Sequence, residues 1–270
     1  MAVFDIFNEI SEKQITKTQL GEERIFGSVV GIVAANYDKE MPGRICVTIP
    51  VRDENANQLK WAKVAAPYTG KEWGQYFLPE IGDQVLLVFE DGNIEKPYVI
   101  GCIPRDNDKL LRKSTDENNG TKQIMTRNGS RITFEDDTDE EGKKDKITVA
   151  TANEMHRFIL DNEKESVILE DKEGNCRVEM RTKDGKIRIH TEKKLEITVG
   201  DSIEVVMNAS SGEIRMKANK VSIEASNRLN LETDGSAKLS GQQTIVEGAS
   251  SLKNSCSGMV LIEGAPIKIG

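Results

Sequence analysis

Between residues 187 and 239 apolar side chains recur in pairs two apart: IRIH, LEIT, IEVV, VSIE, LNLE and AKLS. Such alternation puts both members of a pair on one face of a strand and the residue between them on the other. Ile187, Leu195 and Ile203 lie eight apart, with Ile189, Ile197 and Val205 as their partners. After the longer segment ASSGEIRMKAN the beat resumes at Val221, Leu229, Ala237 and Ile245, with Ile223, Leu231 and Leu239 two residues on. The repeat predicts a shaft of short strands with Arg188, Glu196, Glu204, Ser222, Asn230 and Lys238 turned to solvent.

An eight-residue unit supplies one wall, whereas a single-chain β-helix spends roughly twenty residues per coil to enclose its own core. Three walls then call for three intertwined copies around one axis. Each aliphatic side chain fully buried there contributes about 1.5–3 kcal/mol, and that gain arrives only on association. An antiparallel meander with one wet face is the competing arrangement, but it does not require an eight-residue beat.

Upstream the pattern differs. Strand-like runs IFGSVVGIVAANY, RICVTIPV, LKWAKVAAP, DQVLLVFEDG and PYVIGCI are separated by the turn signals MPG, PEIGD and DGN. Five short strands in 24–103 with glycines at the bends predict a small closed barrel of the OB type, with Val85–Phe89 buried on both faces. Residues 104–130 are polar and read as a linker. In 131–185 the apolar pairs RITF, KITV, RFIL, VILE and RVEM alternate with charged turns, a strand neck leading into the 186–270 shaft. In residues 1–23, Val3, Ile6, Phe7 and Ile10 share one face at helical spacing. That short helix either packs on its own domain or forms an arm that docks on another subunit. The fold class is therefore all-β, a barrel followed by a trimeric intertwined β-helix needle, with a helical arm.

Composition sharpens the picture. Apolar residues make up 37% of the 270 and charged residues 30%, lean for a globule but regular enough to exclude disorder. A net charge of −8 disfavours nucleic acid as a partner. The acidic run EDDTDEE reads as a solvated loop rather than a metal site. Cys46, Cys102, Cys176 and Cys256 are scattered without a CxxC pair, which predicts neither a disulfide framework nor a zinc centre. The first residues lack a signal-peptide pattern, and no run reaches the roughly 18 apolar residues of a spanning helix. Synthesis and folding in the cytoplasm are expected.

Residues 27–103 then carry a denser signature: Gly27, Val33, the Pro42-Gly43-Arg44 turn, Val47, Pro50, Trp61, Val64, Pro67, Gly70 and Gly74. Phe77-Leu78-Pro79-Glu80, Gly82-Asp83, Val85, Phe89, Gly92, Pro97 and Gly101 complete it. This pattern, with NGSRITFED at 128–136 and the repeats beyond, resembles the contractile-tail spike family. That family comprises the VgrG proteins of type VI secretion, phage baseplate assembly protein V and the spikes of extracellular contractile injection systems. The resemblance implies a homotrimer with an OB collar and a β-helical needle that punctures a target envelope. It implies a hub protein at the tube end, engaged by the arm at Val3, Ile6, Phe7 and Ile10, and contacts with baseplate proteins. The end MVLIEGAPIKIG resembles the blunt needle end that a PAAR-repeat protein caps, at Ile267, Lys268, Ile269 and Gly270. Some short phage spikes end in a His-x-His iron site, but His156 and His190 form no such motif, so neither a metal nor another cofactor is expected. Little precedes the barrel where VgrG proteins carry a hub, and residues 104–130 are too short for an inserted lysozyme, so the short form is indicated.

Catalysis is not expected. A triad would have to be built from His156 or His190, and His190 alternates away from the apolar face. Two alternatives stand beside the spike reading. One is an OB domain gripping single-stranded nucleic acid, for which Trp61, Tyr68, Trp73, Tyr76 and Phe77 cluster but lack a basic stripe. The other is a trimeric β-helical fibre or depolymerase, which would need a larger shaft and an aromatic groove after residue 103.

Overall fold

The computed structural model describes residues 16–17, 24–49, 59–138 and 141–268. The helical arm expected over residues 1–23, with Val3, Ile6, Phe7 and Ile10, lies outside the described residues, as do Ile269 and Gly270. The chain divides into two compact units, Met1–Lys193 and Lys194–Gly270.

β1 (Val29–Ala35), β2 (Arg44–Thr48), β3 (Lys60–Val64), β4 (Gln84–Phe89) and β5 (Pro97–Ile103) close into a barrel in the order β1-β2-β3-β5-β4. All pairings are antiparallel except β3 with β5. Its core is aliphatic, centred on Val33, Ile45, Val47, Ala62, Val85, Leu87 and Val99, with Phe89 and Ile94 at the edge. β4 alternates between fully and partly buried positions, so the run Val85–Phe89 faces the core on one side only, not on both. A closed barrel has no second sheet to cover its outer wall.

The P-x-x-G-D element of the sequence is a turn that staples two strands. The Asp83 carboxylate accepts the Glu80 N–H at 2.9 Å while the Asp83 N–H donates to the Glu80 carbonyl at 3.0 Å. Gly82 holds φ at +94°, which favours glycine, and its N–H reaches the Val33 carbonyl at 2.8 Å. The β3–β4 loop is thereby tied to β1, and Asn36 reinforces it by donating to the Pro79 carbonyl at 3.1 Å.

The expected linker holds more structure than its polarity suggests. α1 (Lys109–Ser114) is followed by β6 (Thr121–Met125), the first strand of a seven-stranded antiparallel sheet. β7 (Arg131–Glu135), β8 (Lys146–Ala150), β9 (His156–Asp161), β10 (Ser166–Asp171), β11 (Cys176–Arg181) and β12 (Lys186–Thr191) continue it as a simple meander. The last four strands begin ten residues apart, six of strand and four of turn. The first octad pair, Ile187 and Ile189, thus sits on β12 of an antiparallel sheet.

In the second unit β13 (Lys194–Val199), β14 (Ile203–Asn208) and β15 (Glu213–Lys217) form another meander. Leu195, Ile197, Ile203 and Val205 share one of its faces. Residues 218–268 run on without helix or strand pairing and bend at 219, 226–227, 234–235, 242–243, 249–250, 257–258 and 265–266. From 226 on the bends recur every eight residues except for one seven-residue step at 242–249.

Gly31 tests the barrel. A Cβ there would stand 2.7 Å from Leu87 Cδ1 and 3.2 Å from the Thr48 carbonyl, and Leu87 is fully buried and cannot yield cheaply. Gly31→Ala is expected to destabilise the barrel by about 1–3 kcal/mol, read as a lowered urea midpoint; an unchanged midpoint would show that the wall relaxes freely.

Candidate apolar assembly face

The strand registers of the seven-stranded sheet align its apolar residues into two rows. Ile124, Ile132, Val149, Phe158, Leu169, Val178 and Ile189 stand opposite one another across all seven strands. Phe134, Ile147, Leu160, Val167, Met180 and Ile187 form the second row, which Lys122 begins on β6. Residues two apart in a strand point the same way, so both rows occupy one face.

That face is the more open one. Ile124, Leu169 and Ile189 are about half exposed, with Ile147, Leu160 and Val167 partly buried, while Thr148, Asp161, Ser166, Glu170 and Glu179 on the opposite face are buried together with Ala150 and Ile168. The ordinary arrangement of a half-wet sheet, apolar side in and polar side out, is inverted.

Charge pairing makes the inversion tolerable. Arg131 bonds Glu154 at 2.6 Å, Arg157 bonds Glu154 at 3.4 Å and Glu170 at 2.7 Å, and Arg177 also holds Glu170. Arg177 and Arg181 then share Glu179 at 3.3 and 2.7 Å. The result is a ladder of alternating charge running from β7 to β11, in which the buried Glu170 and Glu179 are each held by two guanidinium groups. Charged groups under cover persist only when paired in this way.

The second unit carries apolar rows of its own. Leu195, Met207 and Ile214 form one cross-strand row, and Ile197, Val205 and Met216 form another, with Val199 opposite Ile203. Ile214 and Met216 are strongly exposed, as are Val221, Ile223, Leu229, Leu231, Leu239 and Ile245 beyond them. Ile267 is half exposed and Lys268 exposed.

The core positions expected at Ile187, Ile189, Leu195, Ile197, Ile203 and Val205 therefore fall on two sheet faces, one in each unit. Those at Val221, Ile223, Leu229, Leu231, Leu239 and Ile245 lie within residues 218–268. Sequence reasoning noticed the pairs between Ile132 and Met180 but assigned them only to a neck. The common face they share was visible in principle, because the ten-residue beat fixes which residues stand opposite. Met207, Ile214 and Met216 were missed because they fall in or beside the segment that interrupts the octads. His190 stands opposite Arg177 on the polar face, away from the apolar rows, as alternation required. Of the cysteines, Cys46 is a buried core residue whose thiol is pushed up by burial, whereas Cys102, Cys176 and Cys256 are exposed rather than core-filling.

A closed five-stranded barrel of the OB type followed by antiparallel β-meanders with partly exposed apolar rows is the fold of a β-rich, spike-like protein. Residues 29–103 match the family described as the type VI secretion system/phage-baseplate injector OB domain. The matched residues are those of the barrel, β1 to β5. The type VI secretion system spike protein VgrG1c of Pseudomonas aeruginosa is 26% identical over 82 residues, 30% of this chain and 11% of that protein. VgrG2a of the same organism is 30% identical over 77 residues, 27% of this chain and 9% of the relative. VgrG1a is 33% identical over 49 residues, 18% of this chain and 8% of the relative. The chain thus covers about a tenth of the length of the curated relatives it matches.

The ladder carries a pH consequence. The hydrogen bond from Arg181 holds the Glu179 carboxyl below the usual carboxylate range, against the upward push of burial. Arg131 does the same for Glu154 through its hydrogen bond and its charge. Groups depressed in the folded state stabilise it above their unfolded pKa, and that contribution disappears as they protonate. Stability is therefore expected to be level near neutrality and to fall once pH drops below about 4.3, the ordinary glutamate value. Glu179→Gln should flatten the acid limb of the Tm-against-pH curve. An acid limb identical to wild type would show that the ladder does not report there.

Proposed function

We propose that this chain is the central spike of a contractile injection apparatus, acting as a homotrimer whose three copies turn their apolar faces to a common axis. The single observation that carries the reading is the inverted sheet together with its extension. Apolar rows lie partly exposed on each unit, Ile124 to Ile189 on one and Leu195 to Met216 on the other, and the chain then continues through segments bent about every eight residues that have no strand partner among the described residues.

A lone chain has no means to bury these rows. Patches beyond a few hundred Å² mark an interface. Residues 218–268 need strand partners as well as cover, and other copies of the same segment supply both. Three extended segments with continuous pairing leave no open edge and no part that yields separately under axial load. The ion ladder then lies on the side of each wall away from the axis, its carboxylates covered by their guanidinium partners.

The role is structural rather than catalytic. The barrel forms the collar toward a hub protein at the tube end, reached by Val3, Ile6, Phe7 and Ile10, among baseplate neighbours. Ile267, Lys268, Ile269 and Gly270 form the distal end, where a PAAR-repeat protein fits as a cap. The particle is assembled in the cytoplasm, and its needle meets the target envelope on firing.

Light scattering of the full chain is expected to give three times the 30.0 kDa chain mass. Leu229→Asp should abolish trimers that resist SDS or heat, and a soluble trimer of unchanged Tm would remove Leu229 from the axis. Leu169→Asp separates the two states more sharply. At a half-exposed position of an isolated sheet a polar change costs within about 0.5 kcal/mol, whereas on a shared face it buries one unpaired carboxylate per copy. The variant is expected to keep its far-ultraviolet circular dichroism as a monomer. A normal trimer would place the seven-stranded sheet outside the shared core.

A further inference from the structure

The aromatic cluster of the β3–β4 loop has no part in the barrel core, and it is held too firmly to be an idle loop. The Gln75 N–H donates to the Tyr68 carbonyl at 2.9 Å, the Gly70 N–H donates to the Trp73 carbonyl at 2.7 Å, and Thr69 bridges Gly74. These bonds make Tyr68–Gln75 a closed hairpin. The Trp73 indole lies flat on Gly70, where a Cβ would come within 2.4 Å of the ring. Its other face is open, Trp73 being 60% exposed, and Tyr76 and Phe77 are more exposed still. Immediately after them Leu78 packs on the barrel core, which fixes the base of the loop.

Phe77 also forms one edge of an apolar cavity of about 500 Å³ whose other walls include Ile124, Ile132, Val149 and Phe158. These are the opening residues of the first apolar row. The hairpin therefore borders the face that the proposed trimer buries, at its β6–β8 end.

We infer that the Tyr68–Phe77 segment is a clasp between copies, its Trp73 and Tyr76 docking on a second copy of this chain where the two close over that cavity. The inference rests on the trimeric reading and goes beyond it by assigning the barrel a lateral grip of its own. Continuity with the apolar rows selects the occupant. A partner that covers Ile132 and Phe158 meets Phe77 on the same surface, and rigid aromatic anchors lose little freedom on docking. The arrangement locks the collar end independently of the needle, so that the three barrels stay in register when the load arrives from the tube.

The chain has two tryptophans, so Trp61→Phe leaves Trp73 as the sole indole. Acrylamide quenching of this full-length variant is compared before and after unfolding in urea, with the mass measured alongside. Docking predicts quenching several-fold weaker in the native trimer than in the unfolded chain. A trimer in which Trp73 is quenched as freely as when unfolded overturns the clasp and leaves the spike reading standing. A monomeric mass overturns the spike reading, and the clasp with it. If Trp73 is open in the trimer but responds to added peptidoglycan fragments, the hairpin is a sugar platform and the clasp is again overturned.

Discussion

An apolar sheet face must be covered by something, and among the described residues only Phe77 reaches over the two rows that run from Ile124 to Ile189. The rest of the architecture follows from that requirement. The turns are short and polar, so no loop folds back to act as a lid. The neighbouring strands are spent on extending the rows rather than on building a second layer. Packing two sheets face to face would have satisfied one chain. Stringing strands into a single meander satisfies only an assembly, in which each copy supplies the layer that the others lack.

The polar face answers the opposite problem. Glu170 and Glu179 are buried, and each is gripped by two guanidinium groups. Breaking one partner of such a pair costs more than the pair ever contributes, so the ladder penalises any slip between strands. A one-residue shift would exchange the faces, setting carboxylates against the apolar rows. The ladder thus fixes register on one side of the sheet while the rows supply binding surface on the other. Those two tasks, registry and association, are divided between the faces.

Much of this was legible in the chain. The barrel strands announced themselves through alternation and turn residues, and the P-x-x-G-D element could be recognised before its reciprocal Asp83–Glu80 bonds were seen. The apolar pairs at Ile187, Leu195 and Ile203 were equally plain. What periodicity could not reveal is that two beats operate. A ten-residue unit, strand plus four-residue turn, returns the chain antiparallel beside itself, as in β9 to β12. An eight-residue unit bends without returning, as in 218–268. Both place apolar residues two apart, and the pattern within one strand does not distinguish them; the turn length does. The sheet through β12 belongs to the first regime, so Ile187 and Ile189 pair within their own chain. β6 was hidden for a different reason, because TKQIM offers only two apolar side chains in a polar setting.

The change of beat has a mechanical meaning. Where the chain hydrogen-bonds to itself in a ten-residue meander, each copy can fold its wall before meeting the others, and the ion ladder stabilises it while it waits. In residues 218–268, which pair with no strand among the described residues, the proposed trimer would make folding and association one event. A spike built in this order sets its registry in the self-paired region and then zips toward the tip. The seven-residue step at 242–249 falls within residues 218–268. A shared core tolerates such a step only if all three copies take it together. In the proposed trimer the step is therefore a further constraint on how the copies align, set in the part of the chain that has no strand partners among the described residues.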